Sequence, residues 1–184
     1  MSALSNSVPT SQADKQMLLE LLRESRERFL SSFVGVSDEQ SRKRPAEGCW
    51  SVLDTVEHLT AAETVMLRLL QSDRRPRAAG APNREQGFLE RMGSRARKVQ
   101  SPEGGRPKGR FPNLEAAAKQ FETARAGVVR FVEEANEDLR ATEVTHPHPL
   151  VGDVSAYEMV IIIAKHAERH ALQIEEIRKN LVNG

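Results

Sequence analysis

Residues 155–181 read SAYEMVIIIAKHAERHALQIEEIRKNL, and this stretch sets the fold. It opens with Ser155 followed three positions later by Glu158, the pattern in which a hydroxyl serves the third amide and an acidic side chain reaches back to the cap. Ile162, Ile163, Ile174, Ile177 and Leu181 then recur at helical spacing. Met159–Ala164 (MVIIIA) is the longest apolar run in the chain. It falls far short of the ~20 residues that span a bilayer and suits a buried helix. The stretch predicts a long helix over 155–181.

Upstream, the same pattern repeats. Ser51 with Asp54 announces a helix over 51–72, carrying Val52, Val56, Leu59, Met66 and Leu70. Asn113 caps a helix over 114–139 through Leu114, Ala118, Phe121, Val128, Phe131 and Val132. A first helix over 11–33 carries Leu18, Leu21, Leu22, Phe29 and Phe33, and Ser37 with Gln40 starts a short turn near Ser37–Lys43. No segment alternates at period two, so no strand is required. Four amphipathic helices of this length predict an all-α four-helix bundle. At 184 residues the chain reads as one domain, 1–184, with residues 1–10 a flexible tail.

Composition narrows the function. Aromatic residues make up 4% of the chain, which argues against a base-stacking surface, and mean hydropathy is −0.52. A single cysteine, Cys49, excludes an internal disulfide and a Cys-only zinc site, and reads as a buried or half-buried thiol. The opening MSALSNSVPTSQADK lacks the basic and apolar regions of a signal peptide. A cytoplasmic protein with no membrane association is the expectation, and an exposed helix face would allow a homodimer.

The net charge of +1 hides a strong asymmetry. Residues 73–112 hold eleven cations against four anions, a net +7, leaving −6 over the rest. This connection far exceeds the ~2–8 residues usual between bundle helices. It can run the length of the bundle and make the second and third helices parallel. Phe88, Leu89, Met92 and Val99 predict a short helix over 84–99. The charge fits a loop whose arginines pair with acidic helix faces, a cationic rim for a small anion, or nucleic acid. No DNA-binding motif accompanies it, so no specific nucleic acid is expected.

The histidines carry the chemistry. His166 and His170 are spaced i, i+4 and share one helix face, where two imidazoles reach one metal ion. Solvent-facing pairs with this spacing also arise by chance. His58 sits beside the apolar stripe of the second helix with small Ala62 one turn away. If those helices face each other, it completes a three-histidine site. Three neutral imidazoles suit zinc, nickel or iron and leave a coordination position open. Ala167 and Arg169 stand where the H-E-x-x-H and H-x-x-E-H peptidase patterns need Glu. His146 and His148 precede the last helix, whose start is about 18 Å along the axis from His166. They read as loop residues unless the loop folds back. Asp54 either accepts the second N–H of His58 or serves the backbone of Ser51. Gln173 either lines the site or bonds a neighbouring helix.

These residues resemble a family. Trp50-Ser-Val-Leu-Asp-Thr-Val-Glu-His58-Leu59, His146-Pro-x-x-x-Gly152-x-x-Ser155-Ala-Tyr157 and His166-x-x-x-His170-x-x-Gln173-Ile174 look like the DinB/YfiT-like superfamily. The resemblance implies an up-down-down-up bundle whose long basic crossover joins the second and third helices. It also implies that His58, His166 and His170 match the family's metal ligands. The implied activity is that of a divalent-metal-dependent enzyme: a thiol-dependent S-transferase or a hydrolase on a small molecule. A low-molecular-weight thiol is then the cosubstrate, and a metal-bound water or thiol stands in for a protein nucleophile. The alternative is a helical bundle that binds metal or a partner without turnover. The Arg-rich segment departs from the family pattern, so substrate contacts do not carry over there.

Overall fold

A computed structural model describes residues 8–96 and 99–182. In chain order the elements are α1 (Gln12–Ser32), α2 (Asp38–Arg42), α3 (Val52–Ser72), β1 (Arg75–Pro76), α4 (Glu85–Arg91), α5 (Leu114–Glu134), β2 (Thr142–Thr145), β3 (Asp153–Ser155) and α6 (Ala156–Val182). A 3₁₀ turn at Glu103–Gly105 interrupts the crossover between α4 and α5. Of the tail expected over 1–10, residues 1–7 lie outside the described residues. Thr10 is buried, its hydroxyl donating to Glu137 O and accepting from Leu139 N–H.

Local chemistry sets the helix starts. The hydroxyls of Ser51 and Ser155 accept from the amides of Asp54 and Glu158, whose carboxylates accept in return from the cap amides. Ser37 and Gln40 close a third such box, and Asn113 caps α5 through the Ala116 amide at 2.8 Å. α5 ends at Glu134, five residues before the expected end. There Ala135 turns the chain, and Asp138 accepts from the Arg140 amide, so the following residues feed β2 instead.

Side-chain pairs fix the directions of the four long helices. Along α3 and α5, Thr60 meets Ala117, Glu63 meets Arg125 and Leu67 packs on Gly127, so these helices are parallel. A Cβ at Gly127 would lie 2.5 Å from Leu67 Cδ2, so a larger residue there would require the Leu67 side chain to shift. α1 runs parallel to α6, with Asp14 at Tyr157 and Ser32 at Arg178. It runs antiparallel to α5, with Arg26 at Glu122 and Lys15 at Glu133. The result is up-down-down-up.

Every residue from Ala156 to Ala164 is buried. A helix apolar on all sides needs cover on all sides, and α1, α3, α4 and the strands surround this one. The strands correct the purely helical expectation. β1 pairs with β2 and β2 with β3, all antiparallel, closing a three-stranded sheet beside the start of α6. Segments of two to four residues are too short for a period-two pattern to show. Among the described residues, no helix is long and apolar enough to cross a membrane.

Candidate metal centre

α3 and α6 are neighbours, and this brings His58 onto the face that carries His166 and His170. One ring nitrogen from each lies within 4.8 Å of the other two. The Nε2 atoms of His166 and His170 are 2.9 Å apart. Trp50 packs on two of the rings, with centroids 4.8 Å from His58 and 6.5 Å from His170. This restricts how the imidazoles can turn.

Hydrogen bonds fix which nitrogen is bare. A carbonyl only accepts, so at 2.5 Å from Gly105 O the Nδ1 of His58 carries the proton and Nε2 keeps its lone pair. Gln173 Oε1 accepts from Arg95 Nη1 at 3.3 Å, which orients its amide. The same oxygen lies 3.0 Å from Nδ1 of His170, which must therefore donate. His170 also presents a bare Nε2. His166 faces it at 2.9 Å and supplies the proton between them, so its own Nδ1 is bare. That Nδ1 is buried with no hydrogen-bond partner, a cost that a native site rarely keeps without a use.

Burial pushes all three imidazoles below their ordinary range. For His166 and His170 the shift is large, and neighbouring histidines add to it. The donor set is thus three neutral imidazoles, the form that binds zinc, nickel or iron(II). The residues fit such an ion.

The sequence reading paired Asp54 with His58 as one of two possibilities. The structure places it elsewhere: its carboxylate accepts from the Ser51 amide at 3.0 Å and pairs with Arg44. Gln173 does lie at the site. Cys49 is exposed, correcting the expectation of a buried thiol. His146 and His148 do fold back, because the turn between β2 and β3 lays them on the wall of the same cavity. They are not among the three converging rings.

Sequence reasoning missed Gly105 and Glu57. Gly105 acts through a main-chain carbonyl, which no residue type betrays. Glu57 is buried beside His58 and accepts from the amides of Lys108 and Arg110 and from the Arg110 guanidinium. Buried Glu158 grips the other end of the crossover through the Arg84 amide at 2.6 Å and Arg77. Between these anchors Gly105 reaches His58, and among the described arginines Arg84 bonds Val151 O and Asp153 O while Arg95 pairs with Glu176. The half-open cavity that the crossover and helices line has a volume of about 1760 Å³.

Comparison with known proteins agrees with this picture. The sequence model of the DinB superfamily matches residues 21–174. The uncharacterized protein YuaE of Bacillus subtilis is 22% identical over 163 residues, spanning 89% of this chain and 98% of its own. Among solved structures, YfiT from Bacillus subtilis superimposes with a TM-score of 0.58 at 14% identity, covering 99% of this chain and 93% of that one. It is described as a probable metal-dependent hydrolase with an unusual four-helix bundle topology. TT2238, described as a four-helix bundle protein, gives 0.57 at 20% identity over 88% and 98% of the two chains. A conserved protein from Enterococcus faecalis gives 0.62 at 12% identity over 92% and 97%.

Proposed function

The chain belongs to the DinB superfamily, and from that premise we propose that it is a divalent-metal-dependent enzyme acting on a small molecule, with His58, His166 and His170 as ligands. One observation carries the reading: three neutral imidazoles converge, with one ring nitrogen of each within 4.8 Å of the other two. A metal held there supplies Lewis-acid polarisation and a lowered pKa for a coordinating water or thiol.

The chain's own residues prepare the site. Gly105 O and Gln173 Oε1 hold the Nδ1 protons of His58 and His170, turning both Nε2 lone pairs toward one point. Trp50 keeps the rings from swinging away. The crossover, anchored by Glu57 and Glu158, holds Gly105 against His58. The cavity is larger than the ~300–1,000 Å³ of ordinary small-molecule sites, so a substrate and a low-molecular-weight thiol fit together. Hydrolysis is the reaction suggested by the description of YfiT, and S-transfer the one suggested by the room. Cys49 is exposed and lines the same cavity, and in this reading a metal-bound water or thiol serves as nucleophile in place of its thiol. Arg84, Arg95 and Arg110 of the crossover are engaged and no DNA-binding motif accompanies the charge, which favours a small-molecule substrate over nucleic acid.

Metal analysis of protein purified without a histidine tag tests the assignment. About one divalent ion per chain is expected, and each single alanine variant of the trio loses most of the affinity. Full loading of a His58→Ala, His166→Ala double variant sinks it. Chelator-sensitive turnover of an ester, compared with chelator-sensitive conjugation of a thiol to an electrophile, separates hydrolase from transferase. Metal binding with neither activity marks a non-catalytic module.

A further inference from the structure

The turn between β2 and β3 reads His146-Pro-His-Pro-Leu-Val-Gly152 and is tightly built. The His146 amide donates to Gly152 O at 3.0 Å, the Val151 amide to His148 O at 3.0 Å, and Gly152 takes a φ of 70°. Proline after His146 biases it to extended backbone. A turn pinned in this way presents its side chains in fixed positions.

Both rings in the turn have their tautomer set by the main chain. The His148 amide donates to Nδ1 of His146 at 2.9 Å. An N–H only donates, so that Nδ1 is bare and the proton of the neutral ring sits on Nε2. His148 is bound on both sides: Nδ1 accepts from the Leu150 amide at 3.2 Å, and Nε2 lies 3.3 Å from Gln100 O. His148 therefore ties the turn to the crossover. His146 has no such second partner among the described residues. It lines the cavity that also holds the three converging histidines.

Much of the cavity wall is apolar, though arginines also line it. Val65, Met66, Met92, Val151 and Ile162 line the same space. Of the arginines that line it, Arg95 is engaged by Glu176 and Gln173, Arg110 by Glu57 and Arg169 by Ser94 O. Burial holds the His146 ring neutral, pushing its pKa down to about 4. The ring is therefore a donor and not a cation.

We infer that His146 is a catalytic hydrogen-bond donor whose Nε2–H receives a carbonyl or similar oxygen of an uncharged, predominantly apolar substrate. This rests on the proposed function for the identity of the reacting site, but the donor itself needs no metal. No proton is transferred. The ring stays neutral, and its N–H strengthens its bond as negative charge grows on the oxygen, which makes the interaction stronger in the transition state than in the ground state.

The test uses metal-free, full-length protein with ¹⁵N-labelled histidine and benzamide as probe, an apolar ring bearing one carbonyl oxygen. The ring resonances of His146 should report a proton on Nε2 and a bare Nδ1, and benzamide should shift the Nε2–H signal. His146→Ala should bind benzamide about fivefold more weakly, the loss of one neutral hydrogen bond. His146→Gln, whose amide N–H₂ reaches the Nε2 position, should restore most of the affinity. Zinc uptake by His146→Ala should match the unaltered protein. A proton on Nδ1, no response of the ring to benzamide, or equal affinity in the alanine variant with unchanged Tm would overturn the inference. Loss of zinc in the alanine variant would overturn it too, by making His146 a ligand. Failure of the unaltered protein to bind zinc would instead overturn the metal assignment and leave the benzamide result to decide this one.

Discussion

Two polar clusters are buried against α3, and they are built to opposite plans. Glu63 and Arg125 are 0% and 1% exposed. The guanidinium bonds the carboxylate twice, at 2.6 and 2.9 Å, and its third nitrogen bonds Leu22 O and Ser25 Oγ. Its flat face lies 5.2 Å from the Phe121 ring centre. Five residues earlier on the same helix, His58 joins His166 and His170 in a cluster whose Nε2 atoms face each other. There His166 Nδ1 answers to nothing. The first cluster is complete within the chain. The second leaves a buried nitrogen unanswered, and the proposed function assigns it a metal ion where the first cluster needs none.

The largest expected effect breaks the closed cluster. Arg125→Ala strands a buried carboxylate and should cost about 3–5 kcal/mol in denaturant unfolding. Replacing both partners by methionine should recover most of that loss. His166→Leu in the metal-free protein should cost clearly less than Arg125→Ala, because one nitrogen of the imidazole it removes is already unsatisfied and only the bond to His170 Nε2 is lost. Equal losses at Arg125 and His166 would erase the distinction.

Acid should separate the clusters next. Burial depresses His58, His166 and His170, and brings His146 to about 4. An unfolded histidine titrates near ~6.5, so on acidification the unfolded chain takes up protons before the folded one does. The stability of the metal-free protein is then intact above about pH 6.5 and falls by a few kcal/mol as pH drops toward 4. Urea midpoints measured across this window should show the decline, and His166→Leu with His170→Leu should flatten it. Added metal should move the decline to lower pH, because protons must then displace the ion. A flat profile in the unaltered metal-free protein would contradict the buried, neutral trio.

What the sequence made legible was local. Ser51 with Asp54, Ser155 with Glu158, and the i, i+4 pair His166 and His170 all act within one or two helical turns, so spacing alone exposes them. Glu63 and Arg125 are 62 positions apart and read as ordinary charged helix residues until α3 and α5 are known to be parallel neighbours. Gly105 reaches His58 from 47 positions away through a carbonyl that every residue possesses. His146 looked remote because distance along the axis of α6 was the only ruler, and the fold-back of the turn depends on a sheet too short to predict. The basic crossover was visible as charge. The buried carboxylates Glu57 and Glu158 that anchor its main chain were not, since Glu57 shows no pattern and Glu158 reads only as a cap.

Asp54 and Gln173 supply the finest division between the two plans, since each stands one turn or less from a histidine of the trio. Gln173→Leu removes the acceptor that holds the His170 Nδ1 proton. It should weaken metal binding about 10–100-fold while shifting stability little, because Gln173 is only partly buried. Asp54 spends its carboxylate on the Ser51 amide and Arg44, at the start of α3 and away from the rings. Asp54→Ala should therefore cost about 1 kcal/mol of stability as a lost cap and leave metal affinity unchanged. Competition against a zinc-sensitive dye, run beside thermal unfolding of the metal-free variants, reads both effects on the same samples. A fall in zinc affinity for Asp54→Ala comparable to that of Gln173→Leu would mean that the carboxylate supports His58 after all, and that the cap and the metal centre are one unit.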